Sequence, residues 1–408
     1  MQPAGVIVVG GGQGGFQVAA SLRDEGYQGP VTVIGDEPCL PYQRPPLSKG
    51  FLTGKAQLAE IQLRPAQFYS DQRIDIMHDR VESIARSANR VRLASGRALA
   101  YEHLVLATGA RPRMPSVPGA HVAGILPVRT VVDAQTLLPQ LKQAKRLAVV
   151  GAGFIGLEVA VAAIEIGLEV EVLEYADRVL KRAVSAEAAD YLARAEMQAG
   201  VRFRFNTAAS GFVERDGRVA GVQTTVGETI AADLVVVGIG VQPNAELAQA
   251  ADLAVHDGVM VNAYLSTSDP HISAIGDCAR FPATYSKTPV RLESVQNAVD
   301  QARCVAARIA GRAEAYAKVP WFWSDQGANR LQIAGVAEAG DLAVVRGDVA
   351  AGKFSVFRFR DQRLTAVESI NSAADHMASR KLLACAARIS PEQAADTRIK
   401  LGALTIPC

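Results

Sequence analysis

Val149-Val150-Gly151-Ala152-Gly153-Phe154-Ile155-Gly156 runs a β-branched strand end into glycines spaced G-x-G-x-x-G, in the middle of the chain. The same phrase stands near the N-terminus as Val8-Val9-Gly10-Gly11-Gly12-Gln13-Gly14-Gly15. In such a turn the first glycine permits a tight bend and the second lets backbone approach a pyrophosphate. The third lets the next helix pack close to the strand. Those positions are Gly10, Gly12, Gly15 and Gly151, Gly153, Gly156. The helix that follows aims its unpaired N–H groups and positive dipole end at the phosphates. One such turn arises easily for backbone reasons alone; two with matching flanks imply two dinucleotide sites.

Outward from each turn the flanks agree. Val6–Val9 is a short apolar strand, Phe16–Gly26 has helical apolar spacing, and Val31–Ile34 is the next strand, a crossover of about 30 residues. The second copy has a strand from Leu147 to Val150, a helix over Phe154–Ile166 and a strand over Val170–Leu173. Each copy later ends in an apolar strand entering a Gly- and Pro-containing turn, Leu104–Pro112 and Val235–Pro243. The pattern predicts an internal duplication, with the second copy inserted into the first. The first nucleotide-binding domain is then 1–112 plus 243–319, and the second 113–242. From 320 the apolar runs alternate (Leu331–Ile333, Leu342–Val345, Phe354–Phe359, Leu364–Ile370), with helical sequence at Ala373–Ala387 and Pro391–Leu401. The expectation is an α/β chain of two Rossmann-like domains plus a small C-terminal α+β domain, 320–408.

Composition narrows the class. The 408 residues carry 49% apolar and 21% charged residues, ordinary for a globular chain, and a net charge of +2, which gives no sign of nucleic-acid binding. No apolar run approaches the ~20 residues of a membrane helix, and nothing near the start resembles a secretory signal. A cytoplasmic protein without membrane contact is expected. The region Tyr316–Cys408 holds 12 Lys/Arg against 9 Asp/Glu, so it leans basic. The five cysteines, Cys39, Cys278, Cys304, Cys385 and Cys408, form no C-x-x-C and no metal spacing.

The acidic residue after each second strand separates cofactors. Glu174 closes the second copy's strand, where a carboxylate accepts from ribose hydroxyls and repels a 2′-phosphate, favouring NADH. Arg178, Lys181 and Arg182 lie just downstream and keep NADPH as the second reading. In the first copy Gly35 ends the strand and Asp36 and Glu37 follow; Asp36 is favoured, with Glu37 open. If one dinucleotide is NADH, FAD is the natural second. "SAIGDCAR" places Asp277 after a short strand, as an acceptor for ribityl hydroxyls or as a plain turn aspartate. "RLESVQNAVDQA" starts a helix near Ser294, whose N–H groups would favour negative charge on a flavin ring. "PYQRPPLSKG" is a Pro-stiffened loop presenting Lys49.

These residues resemble a known family: FAD-dependent NADH:ferredoxin reductases of the putidaredoxin reductase type, which serve bacterial monooxygenases and dioxygenases. More distantly the chain is similar to apoptosis-inducing factor and the glutathione-reductase superfamily. The ordered set "PPLSK", "ATGARPR", "GAGFIGLE", "GIGVQPN", "AIGDCAR", "ESVQNA" and "PWFWSDQ" spans nearly the whole chain. The resemblance implies glutathione-reductase-type nucleotide-binding domains. It implies that Gly14, Asp36, Lys49, Val81, Arg129, Asp277 and Val295 contact FAD. The matching phrases add Thr108, Gly109 and Glu293 to the cofactor-binding set, and Ile155, Glu158 and Gly240 to the set around the NAD turn, with Glu174 on the ribose. Lys49 and Glu158 would lie beside the flavin and nicotinamide, with Glu158 read equally as a buried, lysine-paired structural residue. Trp323 is expected against the flavin ring, and Trp321 in the core.

The implied activity is hydride transfer from NADH to FAD, then single electrons to a 2Fe–2S ferredoxin feeding an oxygenase. The cysteine spacing argues against a dithiol route. A basic C-terminal surface (Arg358, Arg360, Arg363, Arg380, Lys381, Arg388) would steer an acidic ferredoxin. A monomer or weak homodimer is expected. NADH oxidase and a non-catalytic NADH-sensing flavoprotein stand as alternatives.

Overall fold

The structure, a computed structural model, describes residues 4–404. The chain forms two compact units: Met1–Arg44, Leu58–Arg111 and Gln242–Lys318 make one, and Pro45–Gln57, Pro112–Val241 and Val319–Cys408 the other.

The first unit is built on a seven-stranded sheet. Strand Gly5–Val9 lies between Val31–Gly35 and Ala98–Leu106, parallel to both, with Val8 opposite Val33 and Val105. Ile74–His78 and Ile272–Ala274 extend the parallel part. Val81–Ala85 and Arg90–Leu93 add an antiparallel excursion along the far end of Ala98–Leu106. The central strand Gly5–Val9 is buried along its whole length, as a sheet covered on both sides requires. Val6, Val8, Val33, Leu104 and Val105 are at most 1% exposed, each contributing roughly 1.5–3 kcal/mol of burial. The first crossover helix is Gln13–Asp24 and starts inside the glycine turn, three residues before the apolar spacing shows it.

The second unit repeats the plan. Arg202–Arg204, Glu169–Leu173, Arg146–Val150, Leu234–Val237 and Ile125–Leu126 form a parallel five-stranded sheet in that order. Val149 here stands opposite Val172 and Val236, the same register relation as Val8 with its neighbours. The crossover helix is Phe154–Glu165. A three-stranded antiparallel excursion recurs as Ala209–Arg215, Arg218–Thr224 and Thr229–Ala231.

Beyond 319 the same unit carries a five-stranded antiparallel sheet ordered Trp321–Gln326, Asn329–Gly335, Arg363–Ile370, Lys353–Arg360, Leu342–Asp348. The aromatic run Trp321–Gln326 is thus an edge strand, which the pattern of apolar runs omits. The following helices are shorter than expected. Ala373–Ala384 stops because Ala386 takes a left-handed φ of 47°. Pro391–Ala395 stops where the Asp396 carboxylate turns back to the Arg398 N–H at 2.9 Å.

One buried polar contact anchors helix Ala186–Gln198 to this sheet. The Glu368 carboxylate, 1% exposed, accepts from the Ser185 N–H (2.8 Å), the Ser185 hydroxyl (2.5 Å) and the Arg358 guanidinium (2.9 Å). Ser185 is at the same time the N-cap of that helix.

Candidate functional site

In both turns two of the three glycines are demanded by the chain itself. Gly10 and Gly151 have φ of +119° and +102°, the region that side chains avoid. A Cβ on Gly15 would overlap the Gly10 carbonyl oxygen, and one on Gly156 the Gly151 carbonyl oxygen. The middle glycine is different. A Cβ on Gly12 would meet only the Arg44 guanidinium, 3.9 Å away, and one on Gly153 only the Gly238 oxygen, at 3.6 Å. Protein packing does not explain these two, whereas close approach of a pyrophosphate does. The residues therefore fit a dinucleotide at each turn.

Around the first turn Arg44 is the cation that sequence reasoning missed, although it stands in the quoted loop "PYQRPPLSKG". It pairs with Glu37 and bonds the Tyr42 hydroxyl at 3.0 Å. Burial weakens its charge, but Tyr42, Glu37 and Asp277 outweigh that, and its pKa is raised. Glu37 also accepts from Tyr42 at 2.5 Å. Its carboxylate is thus engaged within the loop, while Asp36 is exposed. Asp277 lies in a short 3-10 turn, Gly276–Cys278, after strand Ile272–Ala274. Ser294 caps helix Val295–Ile309 by accepting from the Asn297 N–H at 3.1 Å. Glu293 pairs with Arg291 at 2.6 Å. Thr108 donates to the Asn244 carbonyl at 2.6 Å, and Gly109 has φ +66°. Val81 is a core residue at the start of its strand. Gly14 lies where a Cβ would press on Ile275 at 3.3 Å.

Around the second turn Glu174 has both carboxylate oxygens on backbone: Oε2 accepts from the Ala152 N–H (2.7 Å) and Oε1 from the Ala176 N–H (2.8 Å). The carboxylate is locked against the turn, its remaining lone pairs available to hydroxyls. Ile155 is 42% exposed in the first turn of the helix, a large apolar group left open. Gly240 has φ +102°, with the Arg182 guanidinium nearby.

Lys49 and Glu158 meet. Lys49 Nζ lies 2.6 Å from Glu158 Oε2, and Glu158 is 4% exposed. The Pro45–Ser48 3-10 turn fixes the approach of the lysine. Ser48 donates to the same oxygen at 2.5 Å and Ser324 to Oε1 at 2.5 Å; Ser324 in turn accepts from the Gln326 amide at 2.8 Å. A buried charge pair is tolerable only when its hydrogen bonds are met in this way. Arg129 belongs to the same unit, just before the capping box that Thr130 and Asp133 form, and its N–H donates to Asp133 at 3.0 Å.

Trp323 does not join the pair. In strand Trp321–Gln326 side chains alternate between faces. Phe322 packs on Phe154 (centroids 4.5 Å apart) and Ser324 bonds Glu158, so Trp323 is on the other face with Trp321, 5.7 Å away. Trp321 is half-buried rather than core, under the Arg380 guanidinium at 4.5 Å and against His376. Arg358 is likewise corrected. Held by Glu368 and only 8% exposed, it cannot belong to a steering surface. Arg360 is tied to Asp341 and Glu338. The free thiols Cys39, Cys278 and Cys304 are all pushed up by burial, so none is an activated thiolate; Cys408 lies outside the described residues. Among the described residues no helix is long and apolar enough to cross a membrane.

Glu174→Ala should raise KM for NADH and narrow the NADH/NADPH preference, measured as the ratio of kcat/KM for the two nucleotides. An unchanged ratio would move nucleotide selection away from this carboxylate.

Comparison with known proteins agrees with this geometry. Residues 4–302 match the family described as pyridine nucleotide-disulphide oxidoreductase, and 321–405 the one described as reductase C-terminal. Rhodocoxin reductase of Rhodococcus erythropolis is 49% identical over 397 residues, 97% of this chain and 93% of its own. The crystal structure of the ferredoxin reductase for the CYP199A2 system of Rhodopseudomonas palustris superposes with a TM-score of 0.97 at 46% identity, covering 99% of this chain and 100% of that one. The reductase of the covalent putidaredoxin reductase–putidaredoxin complex gives 0.95 at 38%, covering 99% and 98%.

Proposed function

The chain belongs to the pyridine nucleotide-disulphide oxidoreductase family, and on that premise we propose that it is an NADH-dependent ferredoxin reductase. When bound, FAD accepts the hydride of NADH and releases the electrons singly to a 2Fe–2S ferredoxin that feeds a monooxygenase or dioxygenase. The observation that carries this reading is the pair of glycine turns, each with a middle glycine at which protein packing leaves room for a Cβ, as close approach of a pyrophosphate requires.

The residues divide the labour. In the first unit Gly10, Gly12, Gly14 and Gly15 receive the FAD pyrophosphate. Arg44 supplies positive charge there, and Asp36 and Asp277 accept from sugar and ribityl hydroxyls. Thr108, Gly109, Val81, Glu293 and Val295 shape the rest of that site, the last at a helix N-terminus that favours negative charge. In the second unit Gly151, Gly153, Ile155, Gly156 and Gly240 receive NADH, and Glu174 holds its ribose. Lys49 and Glu158 serve the hydride-transferring end, where fixed alignment does most of the work. Arg129 and Trp323 remain assigned to the flavin on the resemblance. The three-domain division 1–112 with 243–319, 113–242, and 320–408 expresses the same roles.

The partner is an acidic ferredoxin, met by the exposed part of the basic C-terminal region, and the protein works in the cytoplasm as a monomer or weak homodimer. Anaerobic mixing with NADH should bleach the flavin rapidly, while steady NADH consumption should wait for a 2Fe–2S ferredoxin. Fast turnover with air alone would make the protein an NADH oxidase. Slow bleaching with a persistent charge-transfer band would make it a sensor.

A further inference from the structure

The basic residues that follow Glu174 have separate fates. Arg178 donates to the Lys181 and Val184 carbonyls at 3.2 and 3.3 Å, which folds the segment back on itself. Lys181 faces the Asp177 carboxylate at 3.1 Å. The Arg182 guanidinium is exposed and makes no hydrogen bond or ion pair among the described residues.

The sheet decides what Arg182 can face. The second glycine turn follows strand Arg146–Val150, which lies between Glu169–Leu173 and Leu234–Val237. Glu174 therefore stands on one side of the turn, and Gly238 to Gly240 on the other. The segment from Tyr175 to Val184 is bonded to the turn on its way. The Leu180 N–H donates to the Ala152 carbonyl at 3.0 Å, while the Ala152 N–H donates to Glu174 at 2.7 Å. Val179 and Leu180 are buried, so this attachment is packed as well as bonded. Arg182 emerges past it, its guanidinium 3.9 Å from the place a Cβ on Gly240 would take. The Gly238 carbonyl oxygen lies 3.6 Å from the Cβ position of Gly153. Arg182 thus flanks the turn on the side away from Glu174.

A dinucleotide lies across the carboxyl ends of such strands, one ribose on the acid and its phosphates over the turn. The 2′-position is then at Glu174, and a cation beyond the turn faces the pyrophosphate instead. From this geometry we propose that Arg182 binds the NADH pyrophosphate from the nicotinamide side and takes no part in reading a 2′-phosphate. The planar guanidinium fork suits two phosphate oxygens at once. Arg178 is spent on carbonyls and Lys181 is offset by Asp177, so neither is free to serve the ribose end. The choice between NADH and NADPH falls to Glu174.

The inference rests on the reading of the second turn as the NADH site, and its test separates the two. Oxidised holoenzyme is titrated calorimetrically with ADP-ribose, which carries the pyrophosphate without the nicotinamide. Arg182→Gln should raise its Kd about tenfold, the scale of one hydrogen-bonded charge. Arg182→Lys should recover part of that loss, since lysine keeps the charge and lacks the fork. Both variants should melt with the wild type, because the guanidinium has no partner to lose. In stopped flow, the second-order rate of flavin bleaching should fall about tenfold for NADH and NADPH alike. The limiting rate at saturating NADH should stay unchanged, as loss of uniform binding requires.

Equal ADP-ribose affinity in wild type and Arg182→Gln would overturn the contact. A loss confined to NADPH would move Arg182 to the 2′-phosphate and overturn its placement. Failure of the parent reading would show separately, as a wild type that neither binds ADP-ribose nor is bleached by NADH.

Discussion

Gly15→Ala should purify without flavin, and Gly156→Ala should purify yellow yet resist reduction by NADH. Neither position needs a left-handed backbone; the barrier is purely steric. A Cβ at either site overlaps a carbonyl oxygen of its own turn, Gly10 or Gly151. Backbone cannot swing aside as a long side chain can, so the helix must lift from its strand and the N–H groups facing the phosphates lose their aim. Flavin occupancy in Gly15→Ala should fall below about a tenth of wild type by absorbance. For Gly156→Ala, kcat/KM for NADH should drop about a hundredfold, or ~2.7 kcal/mol of transition-state stabilisation, with the flavin retained. If both variants lose flavin alike, or both keep normal kinetics, the assignment of one dinucleotide to each turn fails.

The second large effect is expected at the buried ion pair. Lys49→Ala leaves Glu158, 4% exposed, without its cation and with two serine hydroxyls for company. Breaking a buried pair from one side costs about 3 kcal/mol or more, so the variant should melt well below wild type. The double variant Lys49→Met/Glu158→Met removes both charges and should recover much of that loss. All of these proteins should bleach about a hundredfold more slowly with NADH. Recovery of stability without recovery of rate separates the pair's chemical role from its structural one. A Lys49→Ala protein that bleaches at the wild-type rate would leave the pair purely architectural.

The glycine turns and the duplicated strand–helix–strand plan were legible because each is local: spacing within a few residues dictates a bend and a close approach. Lys49 and Glu158 carry no such signal. They are far apart in sequence and joined only by tertiary packing, so the resemblance, not the pattern, brought them together. The opposite faces of Trp323 and Ser324 were not legible, since "WFWSDQ" is three aromatics followed by three polar residues and shows no alternation; once the run is known to be a strand, adjacent residues must point to opposite faces. Arg358 shows the limit of counting charges. Its strand is buried on both faces, and only the sheet brings Glu368 to it. Arg44 was visible but looked like one more loop cation until the structure set it against Gly12.

The Ser185–Glu368 contact has a practical side for anyone re-engineering carrier choice. Transplanting everything after residue 319 from a relative that lacks Glu368 and Ser324 would take the acceptor away from Ser185, the N-cap of helix Ala186–Gln198, and leave Glu158 short of one donor, because Glu368 and Ser324 both come from the transplanted part. A chimera that travels with matched residues at 158 and 185 keeps those bonds; one cut at the family boundary does not.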